Sequence, residues 1–596
     1  MGFTDRCEHR KVFMICLHEQ FVELNSIRAP TFLLPEPTTT TSPRGARDAV
    51  NQSPNMKRAA GGPEAFPPPP PPFTTTKRSR GEDLLEEREK ELRIAQDSTT
   101  TTAIDDRTLR RMVGALEKRV NANLQLRLKY PDQPEKFMES EVDLDAELKG
   151  LQSLATSPEF YPTLIRLDAV PLLLGLLAHE NTSITRDVVL LLSELLDGDS
   201  VEDRLQEALA LTNALVENKV TSLLSSVLSR CSNELGDQEE ADCVYHTLSL
   251  IENMVDLKPQ LADDASGPIL KWLVDRIRSP DSDSNRTYAS EVLAILLQTS
   301  DKNKEAVVSS NGVEALLQAI AKFRKADPAD AEEGEFLENV FDGLCATAMW
   351  KGSKAELLRT EAVNLLVIVA RKSQVARLAA MKAANFALTG SPALCDHFIT
   401  ALGLGPLFAF FMGKGFDAKA KAGGSRRKMA EEAREMQGHV ISILASLLDH
   451  ASKGTKRNRV LAKFLEKDCE KLDRLIEVWS ECSEKLPPSA EATGAATEDD
   501  QEDEEEYLDL LDQGLYQLQQ VALVVAYLWA SGDETMQKRL LFVMHQYGHT
   551  LQDVSAVLAR QFKFMYEVQG TETVNEGVDQ ERKIRLQKLI AILNQS

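Results

Sequence analysis

A short helical motif recurs along this chain, and it constrains the fold more than any other feature. Two apolar residues are followed by two small or polar ones, two more apolar ones, and usually a polar one. The motif reads Leu191-Leu192-Ser193-Glu194-Leu195-Leu196-Asp197. It returns as Leu250-Ile251-Glu252-Asn253-Met254-Val255-Asp256 and as Val292-Leu293-Ala294-Ile295-Leu296-Leu297-Gln298. A weaker copy is Val340-Phe341-Asp342-Gly343-Leu344-Cys345-Ala346, and a strong one is Ile443-Leu444-Ala445-Ser446-Leu447-Leu448-Asp449. Successive copies lie 59, 42, 48 and 103 residues apart, and the last gap has room for a degenerate copy around Arg377–Leu388. Apolar residues at i, i+1, i+4 and i+5 form one broad helix face. A period near ~40–47 residues, with insertions, is the signature of armadillo or HEAT repeats. The expected fold class is all-α: an armadillo/HEAT-like superhelical solenoid with helical N- and C-terminal caps and a disordered N-terminal tail.

The first unit shows the internal logic. Thr163–Leu167 reads as a short helix and Val170–Ala178 as a second. Asn181, Thr182 and Ser183 can cap the third, Ile184–Leu196, and Gly198 can end it in the left-handed conformation. Short, short, long is the armadillo order. Such a trio cannot bury its apolar face alone, so it must stack on neighbours. Gly312 before Val313–Ile320 and Pro406 before Leu407–Phe411 open comparable second helices.

The flanks differ in character. Residues 1–82 hold the proline run Pro67–Pro72 and two threonine runs, and are expected to be a disordered tail. Met56 offers a second start, which would make 1–55 an extension. Residues 83–157 read as an N-terminal helical cap, 158–486 as the repeats, 487–506 as an acidic disordered linker and 507–596 as a C-terminal helical cap. A basic loop, 412–432, interrupts the repeats with Lys414, Lys419, Lys421, Arg426, Arg427 and Lys428.

Charge follows the same division. Of 596 residues, 92 are Asp or Glu and 69 Lys or Arg, a net of −23. Residues 1–80 carry 11 basic and 7 acidic residues, a net of +4, so the body carries −27. That balance argues against broad phosphate-backbone binding and favours basic protein partners. Aromatic residues are only 6%, which suits Leu, Ala and Val helices. No apolar run reaches the ~18–20 residues that span a bilayer, so no membrane is expected as a partner. The eight cysteines form no C-x-x-C pair and read as reduced core residues.

Chemistry-bearing patterns are sparse. His545 and His549 sit four apart without an H-E-x-x-H motif or a third ligand. Cys7, His9, Cys16 and His18 are irregularly spaced for zinc, and no G-x-S-x-G occurs. Neither cofactor nor metal nor catalysis is expected. The basic loop has no stacking platform beyond Phe416, so direct RNA contact is not expected either. Two basic clusters, Lys57-Arg58 and Lys77-Arg78-Ser79-Arg80, have the composition that an import receptor reads, which assigns Lys57, Arg58, Lys77, Arg78 and Arg80 to nuclear entry. Arg186, Asp187, Ser193 and Glu194 interrupt the apolar face of the first strong copy and are candidates for partner binding.

Several stretches resemble one family. These are Tyr130-Pro131-Asp132-Gln133-Pro134-Glu135-Lys136-Phe137-Met138-Glu139-Ser140-Glu141, the segment Leu172–Leu192, Ser290–Gln298, Ser442–Leu448, Leu472-Asp473-Arg474-Leu475 and Leu508–Leu518. From about residue 105 onward the chain is similar to the beta-catenin-like protein 1 family, nuclear armadillo proteins associated with the spliceosome. The resemblance implies a nuclear, non-enzymatic adaptor of the NineTeen-type complex in pre-mRNA splicing. It implies partners with basic, nuclear-localisation-like segments, notably the Myb-like cell-division-cycle component of that complex. A homodimer is left open. The alternative is an importin-α-like nuclear transport adaptor, which reads basic cargo with Trp-x-x-x-Asn pairs. Here Trp272, Trp350, Trp479 and Trp529 are followed four residues on by Arg276, Lys354, Ser483 and Asp533, so that ladder is missing.

Overall fold

A computed structural model describes residues 104–201, 204–414, 426–487, 507–568 (apart from 508 and 512) and 578–595. The tail 1–82, both basic clusters, the centre of the basic loop and nearly all of the acidic linker lie outside them. Among the described residues every regular element is a helix.

The backbone of the molecule is a ladder of helices stacked in chain order. We label its rungs α1 (Asp106–Lys129), α2 (Met138–Leu151), α3 (Thr182–Leu195), α4 (Gln238–Leu257), α5 (Ser284–Thr299) and α6 (Ala331–Met349). Then come α7 (Arg377–Leu388), α8 (Arg426–His450), α9 (Leu515–Trp529), α10 (Leu551–Lys563) and α11 (Val578–Asn594). From α1 to α11 each rung packs on the next, and α9 also touches α11. The motif copies supply the seams. Leu191, Leu192 and Leu195 of α3, Leu250, Ile251 and Met254 of α4, and Leu293, Leu296 and Leu297 of α5 are all buried. Burying each such side chain contributes about 1.5–3 kcal/mol.

Two shorter helices stand behind each rung from α3 to α9. The first pair is Tyr161–Arg166 and Ala169–Leu176, behind α3. The last is Thr455–Leu465 and Glu470–Ser483, behind α9. Between first and second helices the chain turns sharply. A residue with positive φ marks each turn: Asp168, Lys219, Gly267, Asn311, Glu361, Leu402 and Cys469. Six of the seven are not glycine, so each of those turns holds backbone strain of about 1–2 kcal/mol that the packing around it offsets.

Side-chain caps set where the rungs begin. Asn181 accepts from the Ser183 amide at α3, Asp237 from Glu239 at α4, Asp283 from Arg286 at α5 and Asp330 from Glu333 at α6. Each cap satisfies a backbone donor that the helix leaves open, a contribution of about 1 kcal/mol. The third helix of the first unit ends differently from the expectation. Leu196 is its cap, and Gly198 has no positive φ; it opens a further helical turn, Gly198–Val201. The degenerate copy at Arg377–Leu388 is a true rung, α7. The rung α9 carries no copy of the motif, because its buried residues, from Leu518 through Trp529, run almost all round the helix.

Between α6 and α7 a lysine makes the joint. Lys354, in the short helix Lys354–Arg359, is half-buried, and its Nζ donates to Ala348 O at 2.7 Å, Phe386 O at 2.6 Å and Ala387 O at 3.2 Å. Those carbonyls belong to the last turns of two rungs, the ends where cations are favoured.

Candidate partner-binding groove on the inner face

One side of each rung faces its own pair of short helices, and two flanks face the neighbouring rungs. The remaining side is free. Across α3, α4 and α5 it is rich in polar and acidic residues. On α3 it carries Arg186, Leu190 and Glu194, with Asp197 just past its end; on α4, Asp242, Tyr245, His246, Ser249, Glu252 and Asp256; on α5, Tyr288 and Glu291. Apart from the adjacent Tyr245 and His246, the spacings are three and four, so each set lies on one helix stripe.

An open groove of about 530 Å³ runs between α3 and α4. Gln152, Ala155, Leu190, Ser193, Glu194, Asp197, His246 and Ser249 line it. Burial, and the charge of Asp197 nearby, raise the Glu194 carboxyl above its ordinary pKa. Burial lowers the His246 imidazole, so that ring is neutral at pH 7. Asn253 of α4 donates to the Ser193 carbonyl at 3.0 Å and ties the two rungs together below the groove.

The four candidates from the sequence occupy different settings. Glu194 is half-buried and lines the groove. Ser193 also lines it, but is buried and donates to Leu190 O at 2.9 Å. Arg186 lies on the same stripe, and its guanidinium sits 2.7 Å from Asp187 Oδ1 and 3.9 Å from Glu239 Oε1. Asp187 is buried and turned into the seam with α2, where its carboxyl meets that of Asp145. Burial, followed by the hydrogen bond with Asp145, pushes Asp187 up to about 7. Asp145 moves the other way: burial works against it, but the hydrogen bonds from Asp187 and Lys149 hold it below its ordinary pKa. The two carboxyl groups thus shift in opposite directions, as two acids brought together in a buried place do. The sequence pattern marked Asp187 as a break in the apolar face; its pairing with Asp145, 42 positions earlier, has no signature along the chain.

Two tyrosines complete the inner face. The sequence reading passed over them, since isolated tyrosines in a helical array usually serve the core. Tyr245 is exposed, and its ring stands 5.1 Å from that of Tyr288. The Tyr288 hydroxyl donates to Glu252 Oε2 at 2.5 Å.

The other singled-out residues lie elsewhere. Lys57, Arg58, Lys77, Arg78 and Arg80, and Cys7, His9, Cys16 and His18, are outside the described residues. In the basic loop, Arg427 pairs with Glu431 at 3.1 Å on the first turns of α8. His549 packs edge-on against Trp479, their ring centroids 6.2 Å apart, and its Nε2 lies 3.4 Å from Ser480 Oγ. Trp479 and Trp529 are buried, and Trp272 and Trp350 are half-buried away from the free faces of the rungs. Among the described residues no group of His, Cys, Asp and Glu side chains is placed to hold a metal ion.

Comparison with known proteins accords with this architecture. The family model described as "Catenin-beta-like, Arm-motif containing nuclear" matches residues 86–559. Beta-catenin-like protein 1 of Mus musculus is 34% identical over 505 residues, covering 82% of this chain and 86% of that protein. The Bos taurus protein of the same name is 35% identical over 469 residues, covering 76% and 81%. A homolog from Schizosaccharomyces pombe is 32% identical over 444 residues, covering 73% and 75%. The match begins at residue 86, about twenty residues before the stretch from which the resemblance was read. A helical ladder of armadillo order, matched over most of its length to these relatives, belongs to the catenin-beta-like family of nuclear armadillo-repeat proteins.

Proposed function

We propose that this scaffold is an adaptor of the NineTeen-type complex, holding basic, nuclear-localisation-like segments of splicing factors against the free faces of α3, α4 and α5. The observation that carries the reading is the run of acidic residues across three successive rungs: Glu194 and Asp197, then Asp242, Glu252 and Asp256, then Glu291. Carboxylates lining one continuous surface attract an extended cationic segment and speed its encounter. Arg186 breaks that field at the N-terminal end of α3, and so fixes where a bound segment stops.

The Myb-like cell-division-cycle component is the partner that the family resemblance favours. An import receptor is the second partner, through Lys77, Arg78 and Arg80, with Lys57 and Arg58 as an auxiliary cluster. Affinity purification from nuclear extract tests the first assignment. The wild-type chain should bring down splicing factors, and the Glu194→Lys, Asp197→Lys double variant should lose those that bind through basic segments. Recovery of the same set by both proteins would remove the inner face from the function. For import, a triple alanine variant at Lys77, Arg78 and Arg80 should be excluded from the nucleus.

A further inference from the structure

Tyr245 stands on the free face of α4 with 47% of its surface exposed, amid carboxylates. It is not loose. Its ring lies 5.1 Å from Tyr288 at an interplanar angle of 47°, and 5.4 Å from the His246 imidazole at 85°. Tyr288 is anchored in turn, since its hydroxyl donates to Glu252 Oε2 at 2.5 Å. Burial, and the Glu252 charge beside it, raise the Tyr288 pKa, so it remains a neutral donor at any physiological pH. Two aromatic contacts and a charge-assisted hydrogen bond thus hold one ring open to solvent and point one carboxylate along the same row. Glu252 is seven residues after Tyr245 on the same stripe, two turns or about 10 Å along the axis. His246 and Ser249, on the same helix, form one wall of the groove beside Glu194.

An exposed aromatic ring held in place on a polar surface serves no core. General attraction between opposite charges does not need it either. What it suits is a cation with a flat face. A guanidinium is planar, weakly hydrated, stacks on an aromatic face and offers a fork to a carboxylate. A lysine ammonium is a compact, strongly hydrated point charge and gains less from the ring. An arginine side chain also has an apolar stem long enough to lie along the ring while its head reaches an acid. We propose that Tyr245, braced by Tyr288 and His246, with Glu252 two turns further along the same stripe, is a subsite for an arginine side chain, and that it makes the inner face select arginine-bearing segments over lysine-bearing ones. The subsite rests on the reading that the inner face receives basic segments.

Fluorescence anisotropy of the full chain with labelled hexa-arginine and hexa-lysine peptides at physiological salt tests it. Hexa-arginine should bind about fivefold more tightly. Tyr245→Leu, which keeps apolar bulk and removes the π face, should abolish that preference while leaving hexa-lysine affinity unchanged. Tyr245→Phe should retain it. Because Tyr245 is half exposed, both variants should melt with the wild type, and a melting curve run alongside checks this. Equal binding of the two peptides to the wild type, or a parallel loss of both in Tyr245→Leu, overturns the subsite and leaves charge attraction as the whole of recognition. Failure of both peptides to bind the wild type overturns the inner-face reading itself, and the subsite with it.

Discussion

The ammonium nitrogen of Lys354 lies 2.6 Å from the carbonyl oxygen of Phe386, and through it a short outer helix is fastened to the end of a rung. The same nitrogen reaches Ala348 O at the end of the rung before. Replacing Lys354 with Met keeps the length of the stem and strands these carbonyls in a buried place. Leaving a buried acceptor unsatisfied costs about 1–3 kcal/mol. Lys354→Met should therefore lower stability by about 2–4 kcal/mol, read as a fall in the urea midpoint. An unchanged midpoint would mean that water satisfies these carbonyls instead.

The Asp145–Asp187 pair gives a pH signature. The Asp187 pKa is raised from 3.8 to about 7 on folding, with burial the main cause. A raised acid contributes stability that is fully present below its unfolded pKa and is lost as pH rises through its folded one. The wild type should lose stability here between about pH 4 and 7. Asn at 187 stays neutral and can still donate to Asp145 and accept from Arg186. Asp187→Asn should thus match the wild type at about pH 3–4, below the unfolded pKa, and exceed it increasingly as pH rises to about 7. Melting curves that stay parallel across this range would show that the Asp187 pKa is not raised.

Leu192 is fully buried in the seam of α3. A carboxylate there has no cation to meet, and its burial costs several kcal/mol. Leu192→Asp should lose about 4 kcal/mol or more, with the helical circular dichroism of the first unit lost before the rest. A single unshifted transition would take Leu192 out of the core.

Arg276 is buried and bridges Glu234 and Asp283, each at 2.6 Å, and Asp283 also caps α5. Arg276→Met removes the cation from between two carboxylates. Breaking such a buried pair costs about 3–5 kcal/mol. Pairing it with Asp283→Asn should restore part of the loss, since a neutral cap no longer needs the cation. Additive losses in the double variant would show that the two residues act independently.

The sequence carried the rungs because their physics is local. Paired apolar residues four apart can face only one seam, and Asn181 can cap only the helix beside it. Copies at Leu191, Leu250, Val292, Val340, Arg377 and Ile443 all lie in rungs. The seventh repeat rung escaped because α9 is enclosed on nearly every side, and enclosure erases the periodicity on which detection depends. The turns were hidden for another reason. Asp168, Lys219, Asn311, Glu361, Leu402 and Cys469 adopt a glycine-like conformation that packing imposes and residue type does not announce. The groove was half legible. Glu194 showed as a break in an apolar face, whereas Asp145 with Asp187, Tyr245 with Tyr288, and Lys354 with Phe386 are pairings across distance, which spacing cannot express.

A ladder in which each rung rests on its neighbours has no keystone. Damage at one place is felt as far as the adjoining seams and then fades, so the chain should yield in blocks rather than all at once. The short α7, five of whose twelve residues are alanine, has little side-chain area with which to resist parting. If the array is pulled or heated to the point of yielding, it should open first at that rung, dividing into an N-terminal block that keeps the inner-face groove and a C-terminal block that does not.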